Sequence, residues 1–391
     1  MVKSYFIKIV FFSIIILLLI GMNCGCKQLS EVVSNDVINS SNFSSQEDIY
    51  DNITNTEKIK PQKLNIDAFD YLGISGKYFY YISLANYDIE LTDSYIMRYD
   101  LQTDETTKIG EIKNLSTWSG VNAFVNSDKL FATFGVVEDE ESCNIHTKID
   151  LKSGGVTILS RDNNFPPLVA NIAVNEKCFV EEQARKLEDG SYRYFVRVID
   201  PNDGNSKDLI VKNRKADNSG EMIVSTCVYD DIIYTFEYDA QDAYVCSYDL
   251  EGNLLTKESV KLLNEFLKNS DTMWGINVIN GYYFFETLNG KRLVLHKSDN
   301  GWIKREDLIM NRTGSISNLI VNYNAKDENY KKVVLYDYIN KQLSYLDNDT
   351  GEKIDLDIEL PGATYCMTDG KQLVYMNDKQ ELYYIADVFA K

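Results

Sequence analysis

A nucleophile needs a base beside it, and this chain of 391 residues holds only two histidines, His146 and His296. Both fall inside segments that read as strands, where an imidazole is more often an interior packing group than a general base. No G-x-S-x-G, H-E-x-x-H or phosphate-cradling glycine loop occurs in the sequence. The 59 acidic residues could supply a carboxylate pair for glycoside cleavage, yet acids at solvated turns are the commoner use. Asp347-Asn-Asp349-Thr-Gly351-Glu comes closest to a cation loop. No acid stands at the twelfth position of that frame, Glu359 falls one place late, and the segment reads as a hairpin turn. The expectation is a protein with no catalytic residues, no metal site and no cofactor.

The thiols divide into two groups. Cys24 and Cys26 stand near the start of the chain, while Cys143, Cys178, Cys227, Cys246 and Cys366 are spread through the rest at spacings unlike a zinc site. Cys227 and Cys246 are expected on strands separated by a third, too far apart for a disulfide. The five read as buried free thiols.

Recognition chemistry is better represented. Trp118-Ser-Gly-Val-Asn122 and Trp274-Gly-Ile-Asn277 each place an indole just ahead of an amide, and Asn171 and Asn318 hold the same asparagine position in other units. Exposed tryptophan with nearby amides suits a peptide or a sugar, whereas the same residues packed between sheets would only fill space and cap turns. The ligand-binding candidates are therefore Trp118, Asn122, Asn171, Trp274, Asn277 and Asn318.

The elements that must position them repeat. Asp100, Asp150, Asp200, Asp249, Asp299, Asp347 and Asp387 each close an apolar run, at intervals of about fifty residues and a shorter last one. The runs are aromatic and β-branched, as in Tyr95–Asp100, Phe195–Asp200 and Tyr244–Asp249. Upstream of each lies a second turn, among them Ser75-Gly76-Lys77, Ser127-Asp128-Lys129, Asp230-Asp231 and Asn280-Gly281; one unit carries the longer Asn324–Tyr330 instead. Such a period holds about four short strands, so the fold expected is an all-β, seven-bladed β-propeller of four-stranded antiparallel blades over residues 62–391, against eight blades or a distorted six. The last unit runs out of chain after its third strand. Gln62–Asp67 is expected to supply the missing outer strand and so join the two ends.

Other features are expected on one face of that ring. Val260–Leu267 spaces its apolar residues like an amphipathic helix that would cap a channel mouth, and long acidic loops are expected at 86–93 and 137–142.

The first residues carry a different signal. Lys3 and Lys8 precede an apolar stretch from Ile9 to Ile20, followed by Gly21-Met-Asn-Cys24-Gly-Cys26. This segment resembles the signal of bacterial lipoproteins, in which a cysteine just past the apolar core becomes lipid-modified. Gly25 suits Cys26 to that role better than Asn23 suits Cys24, which remains the alternative. Residues 1–25 would then be a signal peptide and 26–61, rich in Ser, Asn, Asp and Glu, a lipidated flexible tether. From residue 63 on, the repeat style resembles propellers of low-density-lipoprotein-receptor-like and quinoprotein-like type carried by Gram-positive lipoproteins, although three tryptophans in all leave no quinoprotein tryptophan ladder. The resemblance implies a module at the outer face of the cytoplasmic membrane, held to the bilayer by acyl chains. A formal charge of −19 disfavours nucleic acid, so the expected function is binding, for a protein or peptide partner, with a carbohydrate-binding or glycoside-cleaving propeller as the alternative.

Overall fold

A computed structural model describes residues 61–389, apart from short segments at 88–90, 117–120, 127, 139–140, 163–171, 175–176, 218, 240–241, 269–272, 288–290, 310–318, 322–332, 338–340 and 348. The Asn324–Tyr330 turn and residues 1–60, which hold the signal and all but the last residue of the tether, fall outside the described residues.

After an initial strand β1 (Gln62–Leu64), the chain forms successive antiparallel meanders. The first is β2 (Asp70–Ser75), β3 (Tyr78–Leu84), β4 (Leu91–Asp100) and β5 (Thr106–Ser116); the second is β6 (Asn122–Asn126), β7 (Lys129–Glu138), β8 (Glu141–Asp150) and β9 (Val156–Asp162). These two join through one residue pair, Leu115 with Val136, into an eight-stranded sheet. Four-stranded sheets follow: β10 (Ile172–Val174), β11 (Phe179–Lys186), β12 (Tyr192–Ile199), β13 (Ser206–Arg214); then β14 (Met222–Tyr229), β15 (Ile232–Tyr238), β16 (Ala243–Tyr248), β17 (Leu254–Ser259). Next come β18 (Met273–Ile279), β19 (Tyr282–Thr287), β20 (Arg292–Ser298), β21 (Gly301–Lys304), and β22 (Leu319–Val321), β23 (Val333–Asp337), β24 (Gln342–Leu346), β25 (Lys353–Glu359). The last sheet, β26 (Ala363–Thr368), β27 (Leu373–Asn377) and β28 (Leu382–Ile385), takes β1 as its fourth strand, with Gln62, Lys63 and Leu64 opposite Tyr384, Tyr383 and Leu382. The pairing anticipated between the two ends of the domain is therefore present, over three residues of the expected six.

The recurrent aspartates end third strands for a local reason. Asp100 Oδ1 accepts from the backbone N–H of Gln102 and Thr103, Asp150 Oδ1 from Lys152 and Ser153, Asp249 Oδ1 from Glu251 and Asn253, and Asp347 Oδ1 from Asp349 and Thr350. Each side chain thus satisfies amides that a reversing chain leaves without ladder partners. Those bonds hold the Asp150 carboxyl below the usual range; at Asp249, also lowered, the Asn253 side-chain amide is the largest cause, and at Asp100 the Lys77 ammonium. Asp299 does not serve this way: in its unit the Ser298 hydroxyl accepts from Asn300 N–H and donates to the Gly301 carbonyl.

The same turns dock each meander on the one before. The Gly154 turn sits against the carbonyl of Ile109 in β5, and the Gly204 turn against that of Leu159 in β9, a contact repeated fifty residues on. Arg98 donates to the Leu151 carbonyl at 3.5 Å and Lys148 to the Pro201 carbonyl at 3.1 Å, again equivalent positions. First strands touch in series, β26 to β2 to β6 to β10 to β14 to β18, and β22 to β26. Side chains clamp this inner row: Ser225 Oγ accepts from Ile276 N–H at 3.0 Å and Asp70 Oδ2 from Val121 N–H at 3.1 Å. Between the sheets lie apolar clusters built from alternate strand residues, such as Phe236, Val245, Val278 and Phe285.

A helix, α1 (Lys261–Lys268), forms where helical spacing was read, and seats Leu263 with Val260 on that same cluster between the β14–β17 and β18–β21 sheets. The acidic loops are shorter than expected. β4 begins at Leu91, and β7 and β8 pair through Val137–Ser142 and Glu138–Glu141, leaving only residues 139–140 between them. Strand pairing in the ladder outweighs charge here because Val136 and Cys143 fix the register from the buried side.

Cys143, Cys178, Cys227 and Cys246 are free and buried, and Cys366 is free and half-buried; β15 lies between Cys227 on β14 and Cys246 on β16. Burial pushes the thiols of Cys178, Cys227 and Cys246 up to about 12 from 9.0. Because their folded values are raised, the stability they contribute is complete below the unfolded value and is lost as pH climbs from 9 toward 12. The urea midpoint is expected to hold steady from pH 7 to pH 8.5 and to fall steeply above about 9. A flat midpoint to pH 11 would show that these thiols are solvated.

Candidate functional site

Antiparallel strands reverse at every turn, so the starts of first strands and the loops from second to third strands share one face. Asp70 opens β2 there, with Oδ1 accepting from Tyr71 N–H at 2.8 Å and Oδ2 from Val121 N–H, just before β6. Burial raises its pKa, while the two backbone donors pull the other way. The Tyr71 ring lies 5.1 Å from that of Tyr365, inclined at 31°, and the Tyr71 hydroxyl reaches Met376 Sδ at 3.0 Å. Burial, with the nearby Asp70 carboxylate second, pushes Tyr71 up to about 12, and burial raises Tyr365 further, again with Asp70 as the next cause. Tyr365 nevertheless keeps 37% of its surface exposed, and Asn122, which opens β6, is exposed as well.

Asp70, Tyr71, Asn122 and Tyr365 thus come from the first strands of the first, second and last meanders. They gather at the seam where the two ends of the domain meet. A carboxylate already oriented by two amides, an open aromatic face and a primary amide can together hold a cationic or hydroxyl-rich group.

Of the residues singled out in the sequence, Trp118, Asn171 and Asn318 lie outside the described residues. Trp274 is the second residue of β18. Asn122 and Asn277 are both exposed, but they are not equivalent: Asn122 stands four residues before the end of β6 and pairs with Thr133, whereas Asn277 stands two before the end of β18 and pairs with Phe284. These two asparagines are therefore not at matched heights on their strands. Residues are level in this fold when they are equally distant from the first hairpin, and the tryptophan spacing did not measure that distance.

Sequence reasoning also missed two buried polar groups between sheets. His146 on β8 has Nδ1 2.9 Å from Thr133 Oγ1 and Nε2 2.8 Å from Glu181 Oε1 on β11, the latter off the line of a directed hydrogen bond; Gln183 donates to Glu181 Oε2 at 3.0 Å. Glu237 on β15 accepts from Tyr248 at 2.6 Å and Thr235 at 2.8 Å, and Lys212 Nζ on β13 lies 2.9 Å from its Oε2. Burial lowers the Lys212 pKa, but Glu237 and Glu221 outweigh it and the net direction is up. The signal was there to read: Glu181-Glu182-Gln183 puts three polar residues in a second strand where other units place Tyr, Thr and Phe.

Consecutive four-stranded meanders with first strands side by side define a β-propeller. No protein-family model matches the sequence, and no curated protein resembles it in sequence. Among solved structures, BamB from Moraxella catarrhalis aligns at 10% identity over 84% of this chain and 99% of its own, with a TM-score of 0.43. An oligogalacturonate lyase from Vibrio parahaemolyticus aligns at 13% identity over 86% and 92%, with a TM-score of 0.48. The periplasmic gluconolactonase of Pseudomonas aeruginosa aligns at 12% identity over 78% and 92%, also at 0.48. These likenesses are too distant to carry over what those proteins do. The class rests on the strand order.

Proposed function

We propose that this chain is a seven-bladed propeller, closed by β1, that binds a protein or peptide partner at the outer face of the cytoplasmic membrane, where acyl chains on Cys26 hold it. The single observation that carries the binding role is the Asp70–Tyr71–Asn122–Tyr365 group: an oriented carboxylate and an exposed tyrosine side by side on the inner strands. The series of first-strand contacts supports a ring, and the β1–β28 pairing supports its closure. Lys3, Lys8, the apolar stretch and Gly25-Cys26 support the anchor. A carbohydrate ligand is the second reading, favoured by the Tyr71–Tyr365 ring pair beside an acid and an amide.

The test uses the full chain in its membrane. Crosslinking should recover a partner with the natural protein and lose it with both Tyr365→Ala and Asp70→Asn, while fatty-acid label disappears from Cys26→Ala. Recovery of the same proteins by both variants would remove the site. Binding on a glycan array that is lost in Tyr365→Ala would select the carbohydrate reading, and label lost in Cys24→Ala but kept in Cys26→Ala would move the anchor to Cys24.

A further inference from the structure

Against a formal charge of −19, one sheet collects arginines that the chain does not neutralise. In the β10–β13 sheet, the register sets Arg185 on β11 directly opposite Arg193 on β12. Like charges in that relation repel, and a strand pair ordinarily puts an acid or a neutral residue there. Among the described residues neither arginine has an acidic partner.

The two side chains are nonetheless fixed. Phe195, two residues along β12 on the same side, is buried to 2% exposure, and three guanidinium carbons stand over its ring: Arg185 at 5.8 Å, Arg193 at 5.9 Å and Arg197 at 5.4 Å from the centroid. Arg197 is occupied by Asp208, whose Oδ1 accepts from its Nε at 2.8 Å. Arg185 and Arg193 are exposed, held against an aromatic face, and keep their N–H donors at the rim of each guanidinium plane. An arrangement that opposes two positive charges and orders both is half of an anion site.

We propose that Arg185 and Arg193 bind the phosphate group of a small phosphorylated molecule, bridging the two guanidinium groups. A phosphate monoester carries about two negative charges and three acceptor oxygens, which match two forks. A single carboxylate would be satisfied by one fork and would leave the second arginine unbalanced. Extended polyanions fit poorly, because the acidic surface around the sheet repels each further charge. The site stands on a different sheet from the Asp70 group and does not depend on the partner proposed for it.

The measurement is titration of the intact protein with inorganic phosphate at pH 8, ionic strength being held constant with sodium chloride, followed by calorimetry. Saturable binding in the millimolar range is expected, weakened at least about tenfold in Arg185→Gln and in Arg193→Gln and unchanged in Lys304→Gln. Arg193→Lys keeps the charge and loses the fork; with its fold verified by circular dichroism, it should weaken binding about fivefold. No saturable binding above the chloride background, or an affinity in both glutamine variants equal to that of the unsubstituted protein, would overturn the site. Acetate binding as tightly as phosphate would overturn the assignment of the ligand.

Discussion

Alanine at position 204 is expected to destabilise the propeller by about 3 kcal/mol, and alanine at position 76 by about 1 kcal/mol. Both glycines hold left-handed backbone, with φ of 76° and 58°. They differ in what a methyl group would meet. At Gly76 nothing lies within 4 Å, so only the conformational cost remains. At Gly204 the new carbon would run into the carbonyl oxygen of Leu159 on the preceding meander, and either the turn lifts from that sheet or the Asp200 turn unwinds. Urea denaturation of the two variants measures the difference. Equal losses would mean that the turn does not dock across the sheets.

Removing the Glu237 carboxylate should have an effect as large. Glu237→Ala leaves the Lys212 ammonium, the Tyr248 hydroxyl and the Thr235 hydroxyl without their acceptor inside the protein, and a loss of about 3 kcal/mol is expected, at the lower end for a broken interior pair because Lys212 keeps Glu221 at 3.1 Å. Glu237→Gln keeps an acceptor oxygen and should lose about half as much. Pairing either change with Lys212→Met isolates the charge: if the double variant is no more stable than Glu237→Ala alone, the ammonium was already adequately hydrated. That cycle is a thermal and urea denaturation series on four proteins.

What could be read from the sequence was what depends on near neighbours in the chain. Asp100, Asp150, Asp249 and Asp347 are legible because their partners lie two to four residues on, so the residue type and the turn are one event. The α1 helix is legible for the same reason, its apolar positions lying on one stripe. Glu181, Glu237 and Asp70 answer to residues 35, 25 and 51 positions away, and no local pattern states those distances. The tryptophans drew attention as large recognition groups. Among the described residues an aromatic beside an oriented acid is Tyr365, and among 27 tyrosines nothing in the sequence marks it. The acidic runs at 86–93 and 137–142 are partly strand because residues such as Leu91 and Val137 continue the ladder into them, paired with Ser116 and Ser142.

The pairing of β1 with β28 gives the domain a mechanical weak point at a defined place. Tension applied through the segment ahead of Gln62 falls on three residue pairs, on the Lys63–Glu381 ion pair at 2.5 Å and on Leu64, whose side chain is sunk among Phe79, Val374 and Leu382. Pulled along the strand, these yield together in shear; pulled across it, they open one after another like a zip. A protein held by that end would therefore withstand drag in one direction and shed its outermost strand in another, and detachment would begin at the rim while the inner strands, with Asp70 and Tyr365 between them, stay assembled.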